Sequence, residues 1–294
     1  MTRIHVDSVF YEVRIGGDGP PLLLIHGFTG RGSDWAPYLP ALRRVATTIA
    51  VDLLGHGGSD SPADPARHAI ERQAADVASI LRRLGVAPAD VVGYSLGARV
   101  ALRMALAEPD VVARLVLESP SAGLADPAAR AARRSADEQL AQILDRDGLG
   151  EFVDHWENLP LFAPERALPA ANRARLHAAR LRNRPEGLAA SLRGAGQGAL
   201  EPVHERLPSV TAPTLVVAGA LDEAGADRAR AIAAGIPGAR LAIIEGIGHA
   251  PHREAPGTWR PLLLSFIARP PAAASREPGL ALPTPLHVTE RNPT

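Results

Sequence analysis

The chain has 294 residues and no cysteine, and its 32 basic residues balance its 32 acidic ones. At roughly 150 residues per domain this is one large domain or two small ones, and disulfide scaffolds, zinc fingers and thiolate nucleophiles are excluded. Zero net charge leaves no positive field to hold a phosphate backbone, so nucleic acid is not an expected partner.

Every basic residue is an arginine. With so much Ala, Gly and Pro this points to a coding bias as much as a chemical demand, so an anion-binding arginine has to be justified by its position. Residues 1–7 carry no basic region followed by an apolar stretch of about 7–15 residues, and no run of about 18 apolar residues occurs anywhere. The expectation is a cytoplasmic protein without membrane insertion.

Residues 9–15 read as an edge strand closed by the Gly/Pro turn of residues 16–20. The apolar run 21–25 is too short for a helix and ends at His26-Gly27, which predicts a buried strand of a parallel sheet. Similar runs recur at 46–51, 90–92, 114–118, 213–218 and 241–245. Helical patterns fall between the early ones, at 34–42, 70–84 and 96–107. Strand, helix, strand at this spacing predicts an α/β fold, a mostly parallel doubly wound sheet with helices on both faces. From residue 120 to about 207 the strand pattern stops, and helical patterns run at 127–144, 149–156, 164–181 and 187–192. The economical reading is a helical cap, residues 120–207, inserted between a first core part, 1–119, and a second, 208–269. Residues 270–294 are rich in proline and read as a flexible tail.

The strongest local signal is Gly93-Tyr94-Ser95-Leu96-Gly97, between the run 90–92 and the helical pattern 96–107. A bare G-x-S-x-G pentapeptide is weak. In strand-turn-helix context it predicts a strained turn whose small flanking residues let the serine hydroxyl stand clear above the sheet. Two partners are expected in the chain order serine, acid, histidine. Asp222 follows the run 213–218 and His249 follows 241–245, both where loops leave the carboxyl ends of strands. His249 would exchange a proton with Ser95, and Asp222 would hold the imidazole tautomer. Glu223, Asp227 and Glu245 are rivals for the acid position. Glu245 falls inside its run, and Asp227 suits the start of the following helix. The oxyanion donors expected are the backbone N–H groups of Leu96 and Phe28. The glycine-rich stretch Leu54 to Ser59 lacks the G-x-x-x-x-G-K-[ST] pattern and reads as a structural turn.

These residues carry a resemblance. His26-Gly27-Phe28-Thr29-Gly30 with Trp35, the stretch Asp52 to Ser59, the serine turn and Gly248-His249 resemble the α/β-hydrolase superfamily. The runs Gly93 to Arg99, Glu118 to Leu124, Arg130 to Asp137 and Gly248 to Glu254 resemble, more narrowly, the 2-succinyl-6-hydroxy-2,4-cyclohexadiene-1-carboxylate synthase family of the menaquinone pathway. Small differences stand beside the likeness: Leu53-Leu54-Gly55 where a proline is common before the glycine, and Ala98 where glycine is common.

The resemblance implies an α/β-hydrolase fold and a lyase. Such an enzyme eliminates pyruvate from 2-succinyl-5-enolpyruvyl-6-hydroxy-3-cyclohexene-1-carboxylate with a Ser-His-Asp triad, placed here on Ser95, His249 and Asp222. It implies no cofactor and no metal, a small polycarboxylate as partner, and substrate contacts at Tyr94, Arg99, Arg133, Trp156 and Arg182, with Arg180 and Arg184 as local competitors of the last. A substrate with several carboxylates needs guanidinium partners. Arg99, four residues after Ser95, stands about 6 Å along the same helix. His252 and Arg253 are expected to hold the histidine loop. The alternative is a hydrolase of the same fold acting on an ester, lactone or carbon–carbon bond through an acyl-enzyme, and it predicts a mostly apolar cap pocket.

Overall fold

The computed structural model describes residues 1–268, so the tail expected at 270–294 lies outside the described residues. Strands β1 (Thr2–Val6), β2 (Val9–Gly16), β3 (Pro21–Ile25), β4 (Thr47–Val51), β5 (Ala89–Tyr94), β6 (Val112–Glu118), β7 (Thr214–Gly219) and β8 (Arg240–Ile244) form one sheet. Their order is β1-β2-β4-β3-β5-β6-β7-β8. β2 runs antiparallel to both neighbours, and all other pairs are parallel.

β5 and β7 are buried at every residue because helices cover both faces, which is why they read as short unbroken apolar runs. β2 alternates instead, with Val9, Tyr11 and Val13 inward. It is not the edge strand expected from the sequence, since β1 pairs along it from Thr2 opposite Val13 to Val6 opposite Val9. β1 escapes notice because Arg3 and His5 dilute its apolar content, as suits an edge open to water.

Helices α1 (Leu39–Leu42), α2 (Ile70–Arg83) and α3 (Leu96–Ala107) alternate with the first strands. The helix expected at 34–42 is split into a 3₁₀ turn, Gly32–Trp35, and α1, with Pro37 between them. Between β6 and β7 lie α4 (Pro127–Arg146), α5 (Gly148–Glu157), α6 (Ala170–Arg180) and α7 (Pro185–Ala195). Asp126 caps α4, accepting from Ala128 and Ala129 N–H, a contribution of about 1 kcal/mol. A 3₁₀ stretch, Pro160–Ala167, replaces the first part of the helix expected at 164–181. Helices α8 (Glu223–Gly235), α9 (Pro251–Glu254) and α10 (Pro256–Ile267) complete the described chain.

Two apolar layers sandwich the sheet. One joins it to α2 and α3 through residues such as Val77, Leu81 and Val100, and the other seals the opposite face with Trp35, Trp259 and Leu263. A third cluster, including Leu144, Phe152, Trp156 and Leu188, lies within α4–α7. Phe28 packs against the first and the third, so one ring ties body to inserted helices. None of the described helices is long and apolar enough to cross a membrane.

Candidate active site

Ser95 sits between β5 and α3 with φ 50° and ψ −104°, a conformation that L side chains rarely adopt. The turn closes only because two side chains are missing. A Cβ on Gly93 would lie 2.3 Å from the Gly97 carbonyl oxygen, and one on Gly97 would lie 2.3 Å from that of Ile25.

The turn brings Ser95 Oγ to 3.0 Å from His249 Nε2, while His249 Nδ1 stands 2.6 Å from Asp222 Oδ2. With Nδ1–H donating to the carboxylate, Nε2 is left to accept the serine proton. The loops that carry these groups are held in place. Asp222 caps α8, its Oδ1 accepting from Gly225 N–H at 2.9 Å. Glu254 accepts from Gly248 and Ala250 N–H on either side of His249, and Ser119 Oγ donates to the His249 carbonyl. Burial works to raise the Asp222 pKa, but its bond to His249, the imidazole charge, the Gly225 N–H and Arg228 together bring it below the usual value. The rival acids stand elsewhere. Glu223 is exposed, Asp227 pairs with Arg230, and Glu245 lies exposed just past the end of β8 instead of inside it.

A cavity of about 310 Å³ opens over Ser95, lined among others by Phe28, Tyr94, Leu96, Arg99, Arg133 and Trp156. Leu96 is the first residue of α3, where a backbone N–H has no intrahelical acceptor. The buried Tyr94 ring packs on His249 and His252, at 5.6 and 4.6 Å between centroids, and burial pushes its hydroxyl pKa up. Trp156 stacks on Phe152, and its buried indole N–H has no partner among the described residues. Arg99 donates to the Ala195 carbonyl at 2.8 Å. Burial first, then the neighbouring Arg133, lowers its pKa to about 10. Arg133 pairs with Asp137 at 2.8 Å, one helical turn along α4.

Arg182 is not brought to this cavity. α6 ends at Arg180, and Arg182 lies beyond it, exposed, beside a separate cavity bordered by Asp34 and Arg260. Arg180, two residues earlier, lines the Ser95 cavity instead, paired with Glu157 at 2.7 Å and Glu165 at 3.1 Å. Sequence reasoning missed two further arginines. Arg228, on α8, lines the cavity. Arg253, read as a support of the histidine loop, also lines it, its guanidinium 5.4 Å from the Tyr94 ring centre and 3.2 Å from Glu165. His252, by contrast, is turned to Glu118, at 2.7 Å. No group of three or more His, Asp or Glu among the described residues is arranged to hold a metal ion.

Residues 20–256 match the family model of the α/β-hydrolase fold. The chain is 34% identical over 265 residues to a Bacillus subtilis (strain 168) protein provisionally named 2-succinyl-6-hydroxy-2,4-cyclohexadiene-1-carboxylate synthase, spanning 89% of this chain and 96% of that one. It is 33% identical over 241 residues to the synthase of that name from Salmonella paratyphi C (strain RKS4594), spanning 81% of this chain and 89% of the other. The solved structure of MenH from S. aureus superposes with a TM-score of 0.82 at 29% identity, over 87% of this chain and 97% of that one. The chain therefore belongs to the α/β-hydrolase fold family and, within it, to the 2-succinyl-6-hydroxy-2,4-cyclohexadiene-1-carboxylate synthase family.

Proposed function

We propose that this chain is a lyase that eliminates pyruvate from 2-succinyl-5-enolpyruvyl-6-hydroxy-3-cyclohexene-1-carboxylate. The observation that carries this reading over simple ester hydrolysis is the cavity wall. A neutral ester gains little from guanidinium groups, whereas Arg99, Arg133 and Arg180 all face the space above Ser95. Arg99 is half-buried with no carboxylate partner among the described residues, its one hydrogen bond going to the Ala195 carbonyl, the arrangement that a bound carboxylate completes.

In this mechanism His249 takes the Ser95 proton as the serine oxygen removes a proton from the cyclohexene ring. The electrons of the broken C–H bond form one ring double bond, the ring's existing double bond shifts by one position, and the carbon–oxygen bond to the enolpyruvyl group breaks, its electrons leaving with the oxygen. Pyruvate departs as its enolate and is protonated by the imidazolium. Asp222 steadies that imidazolium, and the Phe28 and Leu96 N–H groups meet the negative charge that develops on oxygen. Tyr94 and Trp156 wall the ring, and the helices of residues 120–207 serve as a lid over it. No acyl-enzyme forms.

Incubation with the cyclohexene precursor, following pyruvate and the conjugated cyclohexadiene, tests this reading. Accelerated release of both is expected. Rapid turnover of simple esters with no elimination would overturn it in favour of a hydrolase.

A further inference from the structure

The cationic groups of the cavity divide into two sets. Arg180 and Arg253 are neutralised by the protein, through Glu157, Glu165 and, at 3.8 Å, Asp34. Arg99 and Arg228 are not, and Arg133 has Asp137 alone. The three stand within electrostatic reach: Arg133 and Arg228 disfavour the charge of Arg99, and Arg133 disfavours that of Arg228. Only two carboxylates line the cavity beside them, and both are committed, Asp137 to Arg133 and Asp222 to His249 and the Gly225 N–H. Arg228 comes no nearer to Asp222 than 4.0 Å, beyond hydrogen-bond distance. Its Nε is buried without a partner among the described residues. Three guanidinium groups thus face two carboxylates, one of which has to stabilise an imidazolium. A partly buried cation left in that state lacks the acceptor that a carboxylate supplies bidentately.

We propose that Arg228 binds a carboxylate of the substrate and makes this active site selective for tricarboxylates over smaller acids. The inference rests on the lyase reading for the identity of the substrate but not for the charge it requires. Arg228 would act on the ligand directly, not through Asp222, so its removal should weaken binding more than it slows the bound complex.

The test uses the full chain carrying Arg228→Gln or Arg228→Lys. With the cyclohexene precursor, Arg228→Gln is expected to raise KM about tenfold or more, in line with the loss of one charge-assisted hydrogen-bonded pair, with a much smaller fall in kcat. Its affinity for citrate, read by calorimetry, should fall by a similar factor, while its weak affinity for acetate stays within twofold. Arg228→Lys should recover part of both. A KM and a citrate affinity within twofold of wild type would overturn the proposal. So would an unchanged KM with a reduced kcat and an acidic limb of the pH–kcat profile moved upward, the signature of a group that positions Asp222. If Arg228→Gln does not fold, Arg228→Met carries the same test, since it keeps an apolar stem and loses the charge. Failure of wild type to release pyruvate would sink the lyase reading alone, because citrate affinity tests Arg228 without turnover.

Discussion

Ser95, His249 and Asp222 form a line of two hydrogen bonds, and the charge at its far end decides the tautomer at its near end. Asp222 lies below its ordinary pKa in the folded chain. Its contribution to stability is therefore fully present above the unfolded carboxylate value and is lost as pH falls through the lower, folded value. Asp222→Asn should cut kcat by about 10³-fold or more at pH 7, because the amide no longer enforces Nδ1 protonation. It should also flatten the dependence of Tm on pH in the acid range where wild type loses stability. Melting curves at a series of pH values check the second part, and an identical acid loss in both proteins would refute it. These three residues were legible in the sequence because each follows a short apolar run that reads as a strand, so each lands at the same end of the sheet. Arg228 was not, since nothing local distinguishes a cavity-facing arginine on α8 from the other arginines of a chain without lysine. Arg253 was seen in its motif, but its place in the cavity wall depends on Glu165, 88 residues away.

Helix ends mattered more than helix positions. The pattern 164–181 suggests one helix, but Pro164 and Pro169 divide it, and α6 stops at Arg180. Two residues on a helix differ by about 200° in direction, so Arg180 and Arg182 could not serve the same site even in an unbroken helix. The chain leaves the helix between them, which sends Arg182 to the outer cavity. Arg180→Gln should lower kcat/KM at least tenfold and also lower Tm by several degrees, because it leaves Glu165 buried without that partner. Arg182→Gln should leave both nearly unchanged. Equal losses in the two variants, measured by steady-state kinetics and thermal melts, would contradict the assignment. The strands from β3 to β7 were legible for the opposite reason: burial on both faces makes them largely apolar, whereas β8, at the other edge and only half-buried, was legible from its apolar run alone. β1, half polar at a sheet edge, carries no such mark, and its absence from the reading is what made β2 look like the edge.

At the scale of the whole molecule, the question is how an inserted helical layer with its own apolar cluster is registered over the catalytic body. Three links contribute to this. Arg99 donates to the Ala195 carbonyl of α7, Asn183 donates to the Thr29 carbonyl and accepts from Gly57 N–H, and Phe28 wedges between the layers. The ring meets Phe152, Trp156 and His56 edge-on, at 6.2, 5.1 and 5.5 Å between centroids. Removing that ring should cost about 2 kcal/mol or more of packing, concentrated at the seam instead of inside either layer. Phe28→Ala keeps the backbone N–H that is proposed to meet the developing negative charge, so a loss of rate reports the ring, at the seam and in the cavity wall, and not the donor. Faster amide hydrogen exchange is expected across α4–α7, with β5 and β6 keeping wild-type protection, together with a fall in kcat/KM of about tenfold as Trp156 and Arg133 lose their registration over Ser95. Phe28→Leu should restore most of both. Exchange that rises equally in the body and the inserted helices would mean that the two layers unfold as one unit, and that Phe28 is core rather than coupling.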